Sequence, residues 1–154
     1  MKPEFATFSF LESWSPNYAD QQDVEGVIET FTPQEKKWMG PRDFYNKSQY
    51  RRVEWKDDKP MCFVEARLKG RLAKVNIGCV PKYRGTDNMS ELWRISLEEL
   101  KKMGVKLILF VIHKDNQPSQ KFAIKFGMKE IPGAAKKVRL GVISKDVLLY
   151  HIEI

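Results

Sequence analysis

Arg84 and Gly85 stand between an alternating strand pattern and an amphipathic helix, in the run Val80-Pro81-Lys82-Tyr83-Arg84-Gly85. An arginine, a glycine and a helix start in that order make a phosphate-binding device. The first helical amides lack intrahelical acceptors, the macrodipole puts partial positive charge there, and a guanidinium adds charge-assisted hydrogen bonds. Lys82 stands at the rim of the same turn. Taken alone, the arrangement is also that of any capped helix. A second segment, Asn116 to Met128, begins on a capping residue, ends on Gly127 and is placed to accompany the first. The formal net charge of +7 favours an anionic partner, whether a nucleotide cofactor, a nucleic acid or an acidic protein. The basic residues are nevertheless spread along the chain, and no reader motif interleaves them with aromatics.

The elements that must position these residues follow from periodicity. Phe5 to Phe10 alternates aromatic with small or polar residues, which predicts an N-terminal strand. Val24, Val27, Ile28 and Phe31 recur at helical spacing within a first helix from Tyr18 to Phe31. Thr32-Pro33-Gln34-Glu35 reads as a capping box that opens a second, short helix, closed by Gly40-Pro41. Asp43 to Gln49 is either a further helical turn or a loop, and Phe44, Tyr45 and Tyr50 line either a core or a substrate groove.

Three strands are expected next, at Arg51 to Lys56, Met61 to Leu68 and Leu72 to Val80. In the third, Ala73, Val75, Ile77 and Cys79 share the core face, and Gly78 marks a bulge or a close backbone approach. Asn88-Met89-Ser90-Glu91 forms another capping box before a helix that ends at Gly104. Lys106 to Ile112 is a short apolar run suited to a strand covered on both faces. Asp115 or Asn116 caps a last helix with Phe122, Ala123 and Phe126 inward. Runs from Lys137 to Ile143 and Val147 to Ile154 form a closing hairpin. The sum is an α/β (α+β) mixed sheet of about seven strands with four helices, in one domain over residues 1–154.

The chain length and 42% hydrophobic content allow a core without disulfides or metals, and no metal site is expected. Cys62 and Cys79 lie in apolar patterns and read as buried free thiols. The absence of a leader or of an apolar run near the ~20 residues of a membrane span predicts a soluble intracellular protein with no membrane partner.

The element order and the two segments resemble the GNAT superfamily of acyl-CoA-dependent N-acyltransferases. In that family a mixed sheet splays open beside the fourth strand, the pantetheine arm lies in the gap, and the diphosphate rests on amides at the start of the following helix. Arg84 fills the first position of the family's arginine-or-glutamine loop pattern, and Val80, Pro81, Tyr83 and Gly85 match its lead-in. Asn116, Ser119, Phe122, Lys125 and Gly127 fall in register on the family's second pattern, with Met128 in place of an aromatic. The resemblance implies acetyl-CoA or another acyl-CoA as cosubstrate, held by Cys79, Val80, Arg84, Gly85, Thr86, Asp87, Asn88, Met89, Asn116, Ser119 and Phe122.

Further positions depart from the family pattern. Asp87 and Met89 replace its two small loop residues, and Ala123 stands where many members carry the tyrosine that protonates the thiolate. The glutamate base of histone-type members aligns with Lys74. Replacement catalytic candidates are His113 or Glu65 as base, and Ser119 or Tyr83 as donor to the thiolate or carbonyl. Amides near Cys79 and Val80, freed by the bulge, would polarise the thioester.

The resemblance implies an acetyl-CoA-dependent N-acetyltransferase that transfers directly to a primary amine, on a small molecule or a protein. The alternative is a catalytically degenerate GNAT-fold interaction protein, such as a phage virion or accessory protein with an assembly partner. Location is accordingly cytoplasmic, or the virion. Nucleic acid is a weaker third possibility as partner.

Overall fold

The computed structural model describes residues 18–133 and 146–154. The expected strands at Phe5 to Phe10 and Lys137 to Ile143 lie outside them. Five α-helices and six strands are present among the described residues: α1 (Tyr18–Ile28), α2 (Pro33–Trp38), α3 (Arg42–Tyr45), β1 (Tyr50–Lys56), β2 (Lys59–Lys69), β3 (Leu72–Cys79), α4 (Asn88–Lys102), β4 (Leu107–His113), α5 (Gln117–Lys125), β5 (Lys129–Glu130) and β6 (Val147–Glu153). None of these helices is long and apolar enough to cross a membrane.

The strands form one mixed sheet in the order β1-β2-β3-β4-β6-β5. Only β3 and β4 pair in parallel, so their connection must cross over a face of the sheet, and α4 makes that crossing. Its apolar stripe places Leu92, Trp93 and Leu100 against Ala73, Val75, Ile108, Phe110 and Ile112. Trp93 is the centre of this layer, stacked on Phe110 at 6.1 Å and met edge-on by Phe122 and Phe126 of the α5 segment. The opposite parity of β2 turns Phe63 to the other face, where Val24, Val27 and Phe31 of the α1 segment cover it.

Most boundaries follow local chemistry. The α2 capping box forms, with Thr32 Oγ1 accepting from the Glu35 amide and Glu35 Oε1 accepting from the Thr32 amide. α1 stops at Ile28, short of Phe31, because the Thr30 hydroxyl and amide both turn back onto the Val27 carbonyl. Asp43 to Gln49 resolves into the single turn of α3 followed by irregular chain, and Tyr45 and Tyr50 are core residues. β5 was not expected, since two exposed residues carry no periodicity.

Gly78 corrects an expectation. The β2–β3 register runs unbroken through Phe63↔Gly78, and the sheet's irregularity lies instead at Glu54/Trp55 of β1. Gly78 is needed for a side chain rather than a bulge: a Cβ there would sit 2.5 Å from the Phe63 ring, which is fully buried and has nowhere to go.

The polar centre of the α1–α3 face is Glu65, which is completely buried. Arg42 of α3 donates to it through two nitrogens, at 2.6 and 3.3 Å. Arg51 of β1 lies 3.7 Å away, and the Asn76 side-chain amide of β3 donates at 2.7 Å. A buried carboxylate is tolerable only when so surrounded. The network joins α3 to three strands and fixes the segment between α2 and α3, whose Gly40 amide donates to Asn76 Oδ1. Removing the carboxylate strands two guanidinium groups. Glu65→Ala is expected to lower the unfolding free energy by about 3–5 kcal/mol in urea titration, and Gly78→Ala by about 1–3 kcal/mol through overpacking on Phe63.

Candidate functional site

The parallel pairing of β3 with β4 covers only Leu72↔Leu107 to Val75↔Phe110. Beyond it the strands part, with β4 continuing to His113 on the β6 side. The Val80 amide donates to the Met61 carbonyl, so strand periodicity turns the amides of Ile77 and Cys79 toward the gap. Parting, and not a bulge at Gly78, frees these groups; the Val80 amide is not among them. A cleft of about 240 Å³, open mouth included, occupies the gap. Asn76 and Ile77 form one side, Phe110 to Ile112 the other, Asn116 and Ser119 the α5 end, and Trp38 and Met39 the outer wall.

Helix α4 starts beside the same end of β3. Its N-cap is Asp87, one residue earlier than expected, and no side chain caps it. Asn88 is the first helical residue, and its side chain donates to Thr86 Oγ1, which in turn donates to the Tyr83 carbonyl. Glu91 pairs with Arg94 at 3.2 Å instead of closing a capping box. Among the described residues no acceptor meets the amides of Met89 and Ser90. Lys125 reaches across from α5 and donates to Ser90 Oγ at 3.2 Å, which places a cation beside this helix start. The Met89 side chain packs on the core and leaves the helix start open, whereas Asp87 is exposed there and puts an anion at the positive pole of the helix.

Arg84 faces elsewhere. Its guanidinium donates to Glu35 of α2 and to the Cys79 carbonyl at 3.0 Å, and stacks 4.8 Å from the centre of the Phe31 ring. Gly85 adopts a left-handed φ of 79° with open space around its α-carbon, a conformation that favours glycine. Burial alone would push the Glu35 carboxyl up. Hydrogen bonds from Arg84 and the Thr32 amide outweigh it and hold the group below its ordinary value.

The four candidate catalytic residues are not brought together. Ser119 lines the cleft, its amide bonded to the capping oxygen of buried Asn116. Glu65 does not line it; both its oxygens are taken by the buried network. His113 ends β4, and its Nδ1 accepts from the Asp115 amide, so the neutral ring carries its proton on Nε2 and its basic nitrogen is occupied. Tyr83 lies in a short 3-10 turn, Pro81–Tyr83, with Lys56 and Lys82 over its ring.

Phe122 packs on Trp93 and Phe126, and Ala123 is wholly buried. Cys79 turns its thiol into the core opposite Cys62, and only its backbone faces the gap. Interaction between the two facing thiols pushes Cys62 up and Cys79 down.

Sequence reasoning missed Trp38, Met39 and Asn76 as cleft residues. Asn76 stood on the polar parity of β3, a usable signal. Trp38 and Met39 gave none, because their place depends on how α2 returns to the sheet.

No family model matches the sequence, and no curated protein matches it significantly. Solved structures do resemble the fold. The GNAT domain of PAT from S. lividans superposes with a TM-score of 0.70 at 10% identity, covering 90% of this chain and 87% of that one. Ribosomal-protein-S18-alanine N-acetyltransferase from Escherichia coli gives 0.66 at 16% identity, with 91% of each chain covered. The PaiA N-acetyltransferase from Thermoplasma acidophilum, in complex with coenzyme A, gives 0.65 at 14% identity over 87% and 94%. Likeness at such identity is one of fold, and the chain has the GNAT fold.

The Glu35–Arg84 pair yields a pH signature. Because the folded-state pKa of Glu35 lies below 4.5, its stabilisation is present above that value and is lost as pH falls through the folded pKa. Glu35→Gln should therefore cost up to about 1 kcal/mol in denaturant titration at neutral pH, a difference that disappears in strong acid.

Proposed function

We propose that the chain binds acyl-CoA in the β3–β4 cleft and transfers the acyl group directly to a primary amine, with acetyl-CoA as the cosubstrate. The observation that carries this reading is the parting of β3 from β4 beside a helix start where the Met89 and Ser90 amides meet no acceptor among the described residues. A thioester laid in the gap would bring its carbonyl to the Cys79 amide and its diphosphate to the amides of Met89 and Ser90, with Lys125 alongside. The acceptor is an amine on a small molecule or a protein.

In the transfer the amine lone pair attacks the thioester carbon, a C–N bond forms, the C–S bond breaks and the thiolate leaves. Thioester activation makes positioning the main catalytic demand. Ser119 is the candidate that stands in the cleft to donate a hydrogen bond to the departing thiolate, and water relays the ammonium proton to that sulfur. Tyr83 and His113 would need to move to take part.

A second reading is favoured by specific residues. The outer wall of Trp38 and Met39 narrows the cleft, Arg84 is committed to Glu35, and Ala123 supplies no acid. A GNAT-fold protein that has given up transfer and serves an assembly or nucleic-acid partner would show these features.

Calorimetry separates the two. The acyltransferase reading expects micromolar binding of acetyl-CoA and release of free CoA thiol when an amine is supplied. The absence of both heat and thermal shift at millimolar acetyl-CoA would overturn the acyltransferase reading and leave the second. Asp87→Asn removes an anion beside the diphosphate seat and should tighten acetyl-CoA by about fivefold, near 1 kcal/mol. Lys125→Ala removes the cation alongside that seat and should weaken binding.

A further inference from the structure

The outer wall of the cleft does not come from the sheet. Trp38 is the last residue of α2 and Met39 its C-cap, and both close over Ile77, Phe110 and Ile112. The part enclosed from solvent is only about 10 Å³, room for roughly one water-sized group and far below the ~300–1,000 Å³ usual for sites that enclose drug-sized ligands. The wall is also held in place. At one end of α2 stand the capping box and the Glu35–Arg84 pair; at the other the Met39 amide donates to the Lys36 carbonyl and the Gly40 amide to Asn76 Oδ1. Gly40 is pressed so closely on the Tyr45 ring that a Cβ there would lie 2.2 Å from it. Trp38 Nε1 is buried without an acceptor among the described residues. An orphaned buried donor is costly, and a partner oxygen from a water or a ligand would relieve it. An apolar wall facing a lining that mixes Ile77 and Val111 with Asn76, Asn116 and Ser119 suits a short apolar group attached to a carbonyl.

Building on the acyl-CoA reading, we propose that Trp38 and Met39 are the end wall of the acyl pocket and set the acyl donor's size. They admit acetyl or propionyl and stop longer chains, and the Trp38 indole N–H donates to an oxygen of the bound thioester arm. The pocket is selected by shape on its apolar side and by one hydrogen bond on its polar side.

Calorimetric titration of the full chain with CoA, acetyl-CoA, propionyl-CoA and octanoyl-CoA tests this. Acetyl-CoA and propionyl-CoA should bind at least about tenfold more tightly than octanoyl-CoA. Trp38→Ala should remove the gap by improving octanoyl-CoA, and Met39→Ala should narrow it. Trp38→Phe keeps the wall but lacks the N–H, so it should keep the discrimination and weaken acetyl-CoA about fivefold. Thermal melts identify any variant that has not folded, in which case Met39→Ala decides. Equal affinity of the unaltered chain for acetyl-CoA and octanoyl-CoA overturns the wall, as does an unchanged ratio in both alanine variants, while leaving acyl-CoA binding intact. Binding of none of the four overturns the acyl-CoA reading itself and the wall with it.

Discussion

The chain from the end of α2 to α3 is fixed to the sheet by one buried carboxylate. Glu65 is surrounded by Arg42, Arg51 and Asn76, and these four residues come from α3 and three successive strands. The gain from such a cluster is not mainly stability, because desolvating the charges offsets most of their attraction. What it supplies is position. Arg42 can reach Glu65 only if α3 lies flat on β2, and Asn76, held by Glu65, presents its remaining oxygen to Gly40. The outer wall of the cleft is thus set by a charge with no surface of its own.

The two faces of the sheet divide the work. One face is apolar, built on Trp93, and carries the crossover helix whose start offers the Met89 and Ser90 amides, unmet among the described residues. The opposite face carries the polar network and the segment that closes the cleft. The gap between β3 and β4 is where both meet, since Asn76 belongs to the polar face and Ile77 to the apolar one. Strand alternation makes such a meeting unavoidable wherever a sheet opens along its length.

Much of the frame was legible in the sequence. The core parity of β3, the capping box of α2, the crossover helix and the capping role of Asn116 all follow from local periodicity and cap chemistry. The site was less legible, for physical reasons. Glu65 reads as a strand carboxylate, and only the arrival of Arg42 from a distant turn makes it a buried anion. Arg84 reads as a phosphate ligand, yet its nearest carboxylate, Glu35, is brought by tertiary packing. Gly78 signalled a backbone need, whereas the need was room for the ring of Phe63. In each case the residue type was informative and its partner was not.

The shortness of α2 carries one more implication. At 1.5 Å per residue its six residues span about 9 Å, less than two turns. Glu35, fastened to Arg84, and Trp38, which faces the cleft, therefore ride on a single stiff rod with no joint between them. The loop ahead of α4 and the far wall of the cleft are two ends of one lever, and the placement of either fixes the other.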